Sequence, residues 1–166
     1  MFELSDLTLP IIQAPMAGGI SSPSLASAVS NFGGVGSFGF AYSTPEEINS
    51  TLNITRKLTK GPINTNFFVF DLVDSPSPQR NAEALKALKS LPIAKNLLLK
   101  LPDKPYFPNL ELQLEPIWLH KPKILTFHLG IPPRDVIDRA RGLGILVGIT
   151  ATSLYEADLI EKAGAG

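Results

Sequence analysis

The strongest constraint on the fold is the alternation of short apolar runs with longer segments of helical character, which repeats along most of the chain. The short runs predict buried strands, and the longer segments, with apolar residues three and four positions apart, predict amphipathic helices. Continuous apolar strands that alternate with helices are typical of a parallel sheet covered by helices. Five strand–helix units are predicted in sequence order, with strands at residues 10–16, 35–40, 63–70, 122–129 and 144–150.

Local signals mark where three of the helices begin. At Ser22–Pro23 and Thr44–Pro45, a hydroxyl side chain precedes a proline. The hydroxyl can cap the first turn, and proline suits the first helical position. A further helix is predicted over residues 153–163, with Thr152 or Ser153 as its cap.

Residues 71–110 interrupt this pattern with a proline-rich segment that contains one short predicted helix at residues 81–90. A segment this long between regular units is usually a functional excursion or a lid. Residues 111–119 are expected to resume a helix that Pro116 would kink or split. We therefore expect one domain, residues 1–166, with an irregular excursion at about 71–110.

Two architectures fit such an alternation, an open doubly wound sheet and a (β/α)8 barrel. Gln13, Asn66 and His128 lie near the carboxyl ends of predicted strands, and glycines follow these ends. Barrel enzymes build their active sites from those ends. No G-x-G-x-x-G fingerprint follows the first strand. The sequence thus favours an α/β fold that is a partial TIM (β/α)8 barrel and contains the first five βα units. The barrel is not closed, because five strands are too few for closure.

Composition excludes several classes of protein. Fifteen basic and fifteen acidic residues cancel, so there is no basic surplus for nucleic-acid binding. The chain has no cysteine and two histidines, too few for a histidine-based metal site unless carboxylates contribute. No apolar run approaches the length of a membrane span, and the N-terminus lacks a secretory pattern. A cytoplasmic location is expected.

Several segments in a fixed order resemble one enzyme family. Residues 13–21 read QAPMAGGIS, 62–68 PINTNFF, 126–132 TFHLGIP and 148–153 GITATS. Together they resemble the nitronate monooxygenases, formerly called 2-nitropropane dioxygenases. The resemblance implies an FMN-dependent (β/α)8 barrel that oxidises alkyl nitronates with O2 to a carbonyl compound and nitrite.

The resemblance also implies roles for individual residues. Ala14, Pro15 and Met16 match a segment that lies along the flavin ring, Asn66 matches an asparagine that binds FMN, and His128 matches an active-site histidine. Each has a structural alternative: Met16 as core filler, Asn66 as an interior amide bonded to a neighbouring backbone, and His128 as a core histidine.

Five other polar positions allow weaker inferences. Gln13 could face the barrel interior or pair with a backbone group, and Asn64 is expected on the side of Asn66 but deeper. Thr150 could contact a ligand at the end of its strand, although helix capping is the stronger interpretation for Thr152. His120 is expected in a solvent-exposed loop.

The family pattern continues past Gly166 into a sixth strand and a loop with the main catalytic histidine. The resemblance therefore implies a truncated chain that is inactive alone, with a small nitronate and O2 as the partners of the full-length form. Two alternatives stay open. One is a fragment of a flavin-dependent enoyl-[acyl-carrier-protein] reductase, and the other is a non-enzymatic half-barrel that associates with itself or with a C-terminal half through open barrel edges.

Overall fold

A computed structural model of the chain describes residues 2–70, 76–94, 96–100 and 105–165. The chain divides into two compact units, one formed by residues 1–70 with 108–166 and the other by residues 71–107. The larger unit contains the sheet and five of the helices described below.

The sheet of the larger unit consists of four parallel strands in sequence order. Each strand pairs with the next along the chain, and the sheet is not closed. The prediction of an α/β fold with an unclosed parallel sheet is therefore confirmed. The strands are β1 (Gly36–Gly39), β2 (Ile63–Phe68), β3 (Ile124–His128) and β4 (Leu146–Ile149).

The helices begin where local capping chemistry predicts. Ser22, Thr44 and Ser153 each accept a hydrogen bond from a backbone N–H in the first turn of the helix that follows. These three predicted starts are confirmed. The helices are α1 (Pro23–Asn31), α2 (Pro45–Leu58), α3 (Pro78–Lys89), α4 (Leu110–His120), α5 (Arg134–Gly142) and α6 (Leu154–Ala163).

The predicted first strand, residues 10–16, is largely wrong. It is reduced to one parallel bridge between Ile12 and Val35. Val35 N donates to Ile11 O and Gln13 N donates to Val35 O, both at 2.9 Å. Ile11 and Ile12 are 57% and 48% exposed rather than buried. The apolar residues lie where the strand was predicted, but among the described residues this segment pairs with one neighbour through a single bridge, and its apolar side chains stay exposed.

The core of the larger unit lies between the sheet and the helices. Alternate residues of each strand point to opposite faces, and on the helix-covered face these are mainly large and apolar. Three phenylalanines follow one another there, Phe40 directly after β1, Phe67 in β2 and Phe127 in β3. Their ring centroids are 6.0 Å apart for Phe40–Phe67 and 6.4 Å for Phe67–Phe127. The core is completed by Phe38, Ile48, Leu52, Leu114, Ile117, Leu125, Ile137 and Val147.

Helix α4 runs through Pro116 without a break, so the predicted split is absent. Proline removes one N–H donor from the helix, and this loss is normally destabilising. Burial offsets it here, because Leu114, Pro116 and Ile117 are all removed from solvent.

The smaller unit is built around α3, whose N-cap Ser77 accepts from Arg80 N at 3.3 Å. The helix begins three residues before the predicted start at residue 81 and ends at Lys89, one residue before the predicted end. A 3-10 turn follows at Pro92–Ala94.

Candidate functional site

The face of the sheet opposite the apolar core carries a band of polar side chains. Asn66 is level with Thr126, and Asn64 is level with Ser37 on the neighbouring strand. His128 follows Thr126 by two positions and so emerges on the same face. Strand register therefore gathers these residues on one face of β1 to β3, with His128 at the carboxyl end of β3 and with Ser37 and Asn64 nearer the amino ends of their strands.

Hydrogen bonds join this band across three strands. Asn66 Nδ2 donates to Thr126 O at 3.2 Å and to Thr126 Oγ1 at 3.0 Å. Thr126 Oγ1 donates to Asn64 Oδ1 at 3.0 Å, and Asn64 Nδ2 donates to Ser37 Oγ at 3.3 Å. Asn64 and Asn66 are almost fully buried, so these bonds satisfy donors that would otherwise be costly. Asn66 Oδ1 makes no hydrogen bond to any described residue.

Gln13 extends the band toward the first segment of the chain. Its Nε2 donates to Ser37 O at 3.3 Å and to Ser21 Oγ at 3.2 Å. Ser21 Oγ also accepts from Met16 N at 3.1 Å. Of the two possibilities for Gln13, pairing with a backbone group is realised, and the same amide anchors the loop that follows it.

That loop, residues 14–18, lies directly over the end of β1. A Cβ atom on Gly39 would stand 2.8 Å from Ala17 N and 2.9 Å from the carbonyl carbon of Met16, so only glycine allows this approach. Because Gly39 is level with Asn66, the loop borders the polar band. Within the described part of the chain, the N–H groups of Ala14, Ala17 and Gly18 donate no hydrogen bond.

His128 is half-buried at the end of β3 and is held by two neighbours. Its Nδ1 forms a hydrogen bond with Thr150 Oγ1, and its ring meets the ring of Phe68 edge-on at 6.2 Å between centroids. Its Nε2 has no hydrogen-bond partner among residues 2–70, 76–94, 96–100 and 105–165. One ring nitrogen is therefore held by Thr150, and the other has no hydrogen bond within the described chain.

The prediction for His120 is wrong. This histidine is the last residue of α4 and is half-buried, and its Nε2 donates to Asn49 Oδ1 of α2 at 2.8 Å. Burial, and secondarily the positive charge of Arg56, lowers the pKa of His120 below 6.5. Apolar residues earlier in α4 carry the helix onto α2, which the exposed-loop interpretation did not include.

Thr126, Ser37 and Ser21 belong to the polar band but were not singled out from the sequence. A signal existed for Thr126, because it lies two positions before His128 and strand side chains repeat every second residue. No comparable signal marks Ser21, since its role depends on how the loop folds back over Gly39.

Among the described residues, no hydrogen bond joins Thr152 to the band. Its N–H and hydroxyl bind the Glu156 carboxylate at 2.5 and 2.7 Å, while Ser153 caps α6. These bonds lower the pKa of Glu156. The capping interpretation of this segment is therefore confirmed.

The part of the chain that the structure describes contains neither a metal-binding cluster nor a membrane-spanning helix. No group of three or more histidine or carboxylate side chains in it is placed to hold a metal ion. No helix in it combines the length and apolar character needed to cross a membrane.

Curated relatives of the chain carry the name of one enzyme family. The chain is 38% identical to the nitronate monooxygenase of Pseudomonas aeruginosa, over 98% of this chain and 47% of that protein. It is 34% identical to a probable nitronate monooxygenase of Bacillus subtilis, over 95% of this chain and 45% of that protein. The chain thus spans about half the length of the curated relatives it matches.

Solved structures place the fold among TIM barrels. The nitroalkane oxidase of Streptomyces ansochromogenes superimposes with a TM-score of 0.78 at 32% identity, over 98% of this chain and 46% of that one. FabK of Thermotoga maritima superimposes with a TM-score of 0.67 at 23% identity, over 98% of this chain and 40% of that one, a likeness of fold alone.

The family model named nitronate monooxygenase matches residues 2–166, which is nearly the entire chain. The matched span includes the loop at 14–18, the polar band and His128. The chain belongs to the nitronate monooxygenase family.

Proposed function

We propose that this chain forms one wall of an FMN site, and that its full-length form oxidises alkyl nitronates with O2 to a carbonyl compound and nitrite. The observation that carries the proposal is the meeting of the loop at 14–18, Asn66 and His128 at the carboxyl end of one sheet face. Barrel enzymes place their chemistry at that end.

The donors and acceptors present fit a flavin ring. Ala14, Pro15 and Met16 offer a small-residue backbone that a planar ring can approach, with N–H groups unpaired within the described chain at Ala14 and Ala17. Because the Asn66 NH2 group is engaged by Thr126, Asn66 would meet the flavin through Oδ1, as an acceptor from a ring N–H. When bound, FMN supplies the capacity to accept electrons from the nitronate and pass them to O2.

His128 serves the substrate rather than the cofactor in this proposal. A nitronate is an anion, and an imidazole N–H beside it stabilises its negative charge. The Nε2 atom that the fold leaves unpaired is the one available for this contact. A substrate oxygen within about 3 Å of Nε2 is required for such a bond.

FMN binding tests the cofactor assignment directly. Titration of FMN with the chain should quench flavin fluorescence. Gly39→Ala should weaken binding by about tenfold or more, roughly 1.4 kcal/mol, because the new methyl group displaces the loop. Gly142→Ala is the control, since a Cβ atom there meets nothing within 4 Å. Equal binding by both variants would count against a flavin at this loop.

Oxygen consumption tests the reaction. With FMN and propionate 3-nitronate, we expect the 166-residue chain to show little or no turnover, and the full-length form to consume O2 and release nitrite. Robust turnover by the chain alone would overturn the proposed inactivity. NADH consumption with an enoyl substrate by the full-length form would instead support the reductase alternative, for which the FabK likeness supplies only the fold.

A further inference from the structure

Thr150 lies beside His128 at the ends of two neighbouring strands. Its backbone N–H donates to Phe127 O at 3.0 Å, which continues the β3–β4 pairing one residue beyond Ile149. The side chains of Thr150 and His128 therefore emerge level with each other and on one face. The hydrogen bond between Thr150 Oγ1 and His128 Nδ1 follows from this register.

The direction of this hydrogen bond decides what His128 can do. A neutral imidazole has one N–H donor and one acceptor nitrogen, so a bond at Nδ1 fixes the state of Nε2. If the hydroxyl donates to Nδ1, Nε2 carries the proton. If Nδ1 donates to the hydroxyl, Nε2 presents a lone pair and can act as a base.

The surroundings of Thr150 leave its hydroxyl proton free for the first arrangement. A hydroxyl has a single proton to donate, and within the described chain His128 Nδ1 is the side-chain hydrogen-bond partner of Thr150 Oγ1. No carbonyl or carboxylate of a described residue competes for that proton. We propose that Thr150 is a positioning residue that donates to Nδ1 and thereby selects, for the neutral imidazole of His128, the tautomer with its proton on Nε2.

The consequence for the reaction rests on the proposed function. A proton on Nε2 makes His128 a hydrogen-bond donor to the negative oxygen of a nitronate. With Nε2 protonated, His128 cannot remove a proton from the carbon of a neutral nitroalkane, because its one lone pair, on Nδ1, accepts the hydrogen bond from Thr150. Thr150 thereby adapts this wall of the site to the anionic form of the substrate.

Nitrogen NMR of the whole chain tests the tautomer. The chain has two histidines, so selective ¹⁵N labelling of histidine gives two sets of ring signals, and His120→Gln assigns them. At alkaline pH, His128 should show an unprotonated Nδ1 and a protonated Nε2, with their signals widely separated. A protonated Nδ1 in the wild-type chain would overturn the proposal.

Two variants separate positioning from a merely structural role. Thr150→Val removes the donor, so both tautomers should interconvert and the separation of the two His128 signals should shrink. Thr150→Ser retains the hydroxyl and should restore the wild-type pattern. A Thr150→Val spectrum identical to wild type would contradict the proposal.

The ring signals of His120 report on folding in each variant, because its bond to Asn49 lies between α2 and α4. Thr150 is exposed, so replacing it leaves the core intact. The tautomer is read without flavin or nitronate. A failure of FMN binding would therefore sink the proposed function and leave the tautomer standing, whereas a wrong tautomer would sink this inference alone.

Discussion

At the scale of single residues, the site depends on how buried polar groups are satisfied. Thr126 Oγ1 accepts from Asn66 and donates to Asn64, so one hydroxyl orients both amides. Thr65, on the opposite face of β2, has a buried hydroxyl with no hydrogen-bond partner among the described residues. The same residue type therefore has opposite energetic roles on the two faces of the sheet.

Replacing each of these threonines by valine should separate the two roles. Thr126→Val leaves Asn64 Oδ1 without its donor and should lower the free energy of unfolding by about 1–3 kcal/mol. Thr65→Val removes a buried, unpaired hydroxyl and should leave stability unchanged or raise it by about 1 kcal/mol. Urea denaturation measures both. Equal losses in the two variants would contradict the assigned roles.

Residue types near the strand ends could be predicted from the sequence, but their partners could not. Asn66 and His128 were found from their position after apolar runs and from a family resemblance. The bond between His128 and Thr150 joins residues 22 positions apart and depends on the register of β3 with β4. Register depends on the apolar patterns of both strands together and on the geometry of the connection between them, so neither strand's sequence gives it alone.

At the scale of elements, the predictable parts are those set by neighbours in sequence. Thr44 caps α2 because its hydroxyl reaches the N–H of Glu47 three residues later, whatever the rest of the fold does. The segment around Ile12 has equally clear apolar character but forms one bridge. A strand needs partners supplied by distant parts of the chain, so its pattern predicts a tendency rather than an element.

The capping box of α2 gives a direct prediction. Thr44→Ala removes the side chain that accepts from Glu47 N at 3.3 Å and should cost about 1 kcal/mol of stability. Ser50→Ala is the matched control, because Ser50 lies exposed within α2, where alanine is the better helix former. Chemical denaturation should show a loss for Thr44→Ala only. A loss of similar size at position 50 would argue against capping as the cause.

The contact between α4 and α2 should respond to pH. His120 donates to Asn49 of α2, and Arg56 donates to His120 O at 2.7 Å. The pKa of His120 is lowered by burial and then by Arg56, so below pH 6.5 the unfolded chain binds more protons than the folded one. The free energy of unfolding should therefore fall as the pH drops from 6.5 through the folded pKa.

His120→Gln isolates this effect. Glutamine can still donate to Asn49 but does not titrate, so the part of the pH dependence that belongs to His120 should disappear. Thermal unfolding of both proteins across the range from neutral to mildly acidic pH measures the difference. Parallel pH curves for the two proteins would show that His120 does not couple folding to protons.

At the scale of the whole sheet, the two edges differ in what they expose. Beyond β1, the segment of Ile11 and Ile12 presents half-exposed apolar side chains. At the opposite edge of the sheet, the backbone N–H groups of Leu146 and Thr150 donate to carbonyl groups of the β3 segment. In a parallel strand, successive N–H groups point alternately to the two sides, so those of Val147 and Ile149 point away from β3. Among the described residues, no strand pairs with that side of β4.

Open edges of this kind are templates for pairing with another chain. We expect the chain to associate with itself as its concentration rises, and Ile12→Lys to reduce this association because a charged side chain on an edge opposes strand pairing. Sedimentation velocity over a range of concentrations measures the effect. Leu98→Lys is the control, since Leu98 is 98% exposed but belongs to the smaller unit and to no strand of the sheet. A monomer at every concentration, or equal effects of the two lysines, would rule out association through the edge at Ile12.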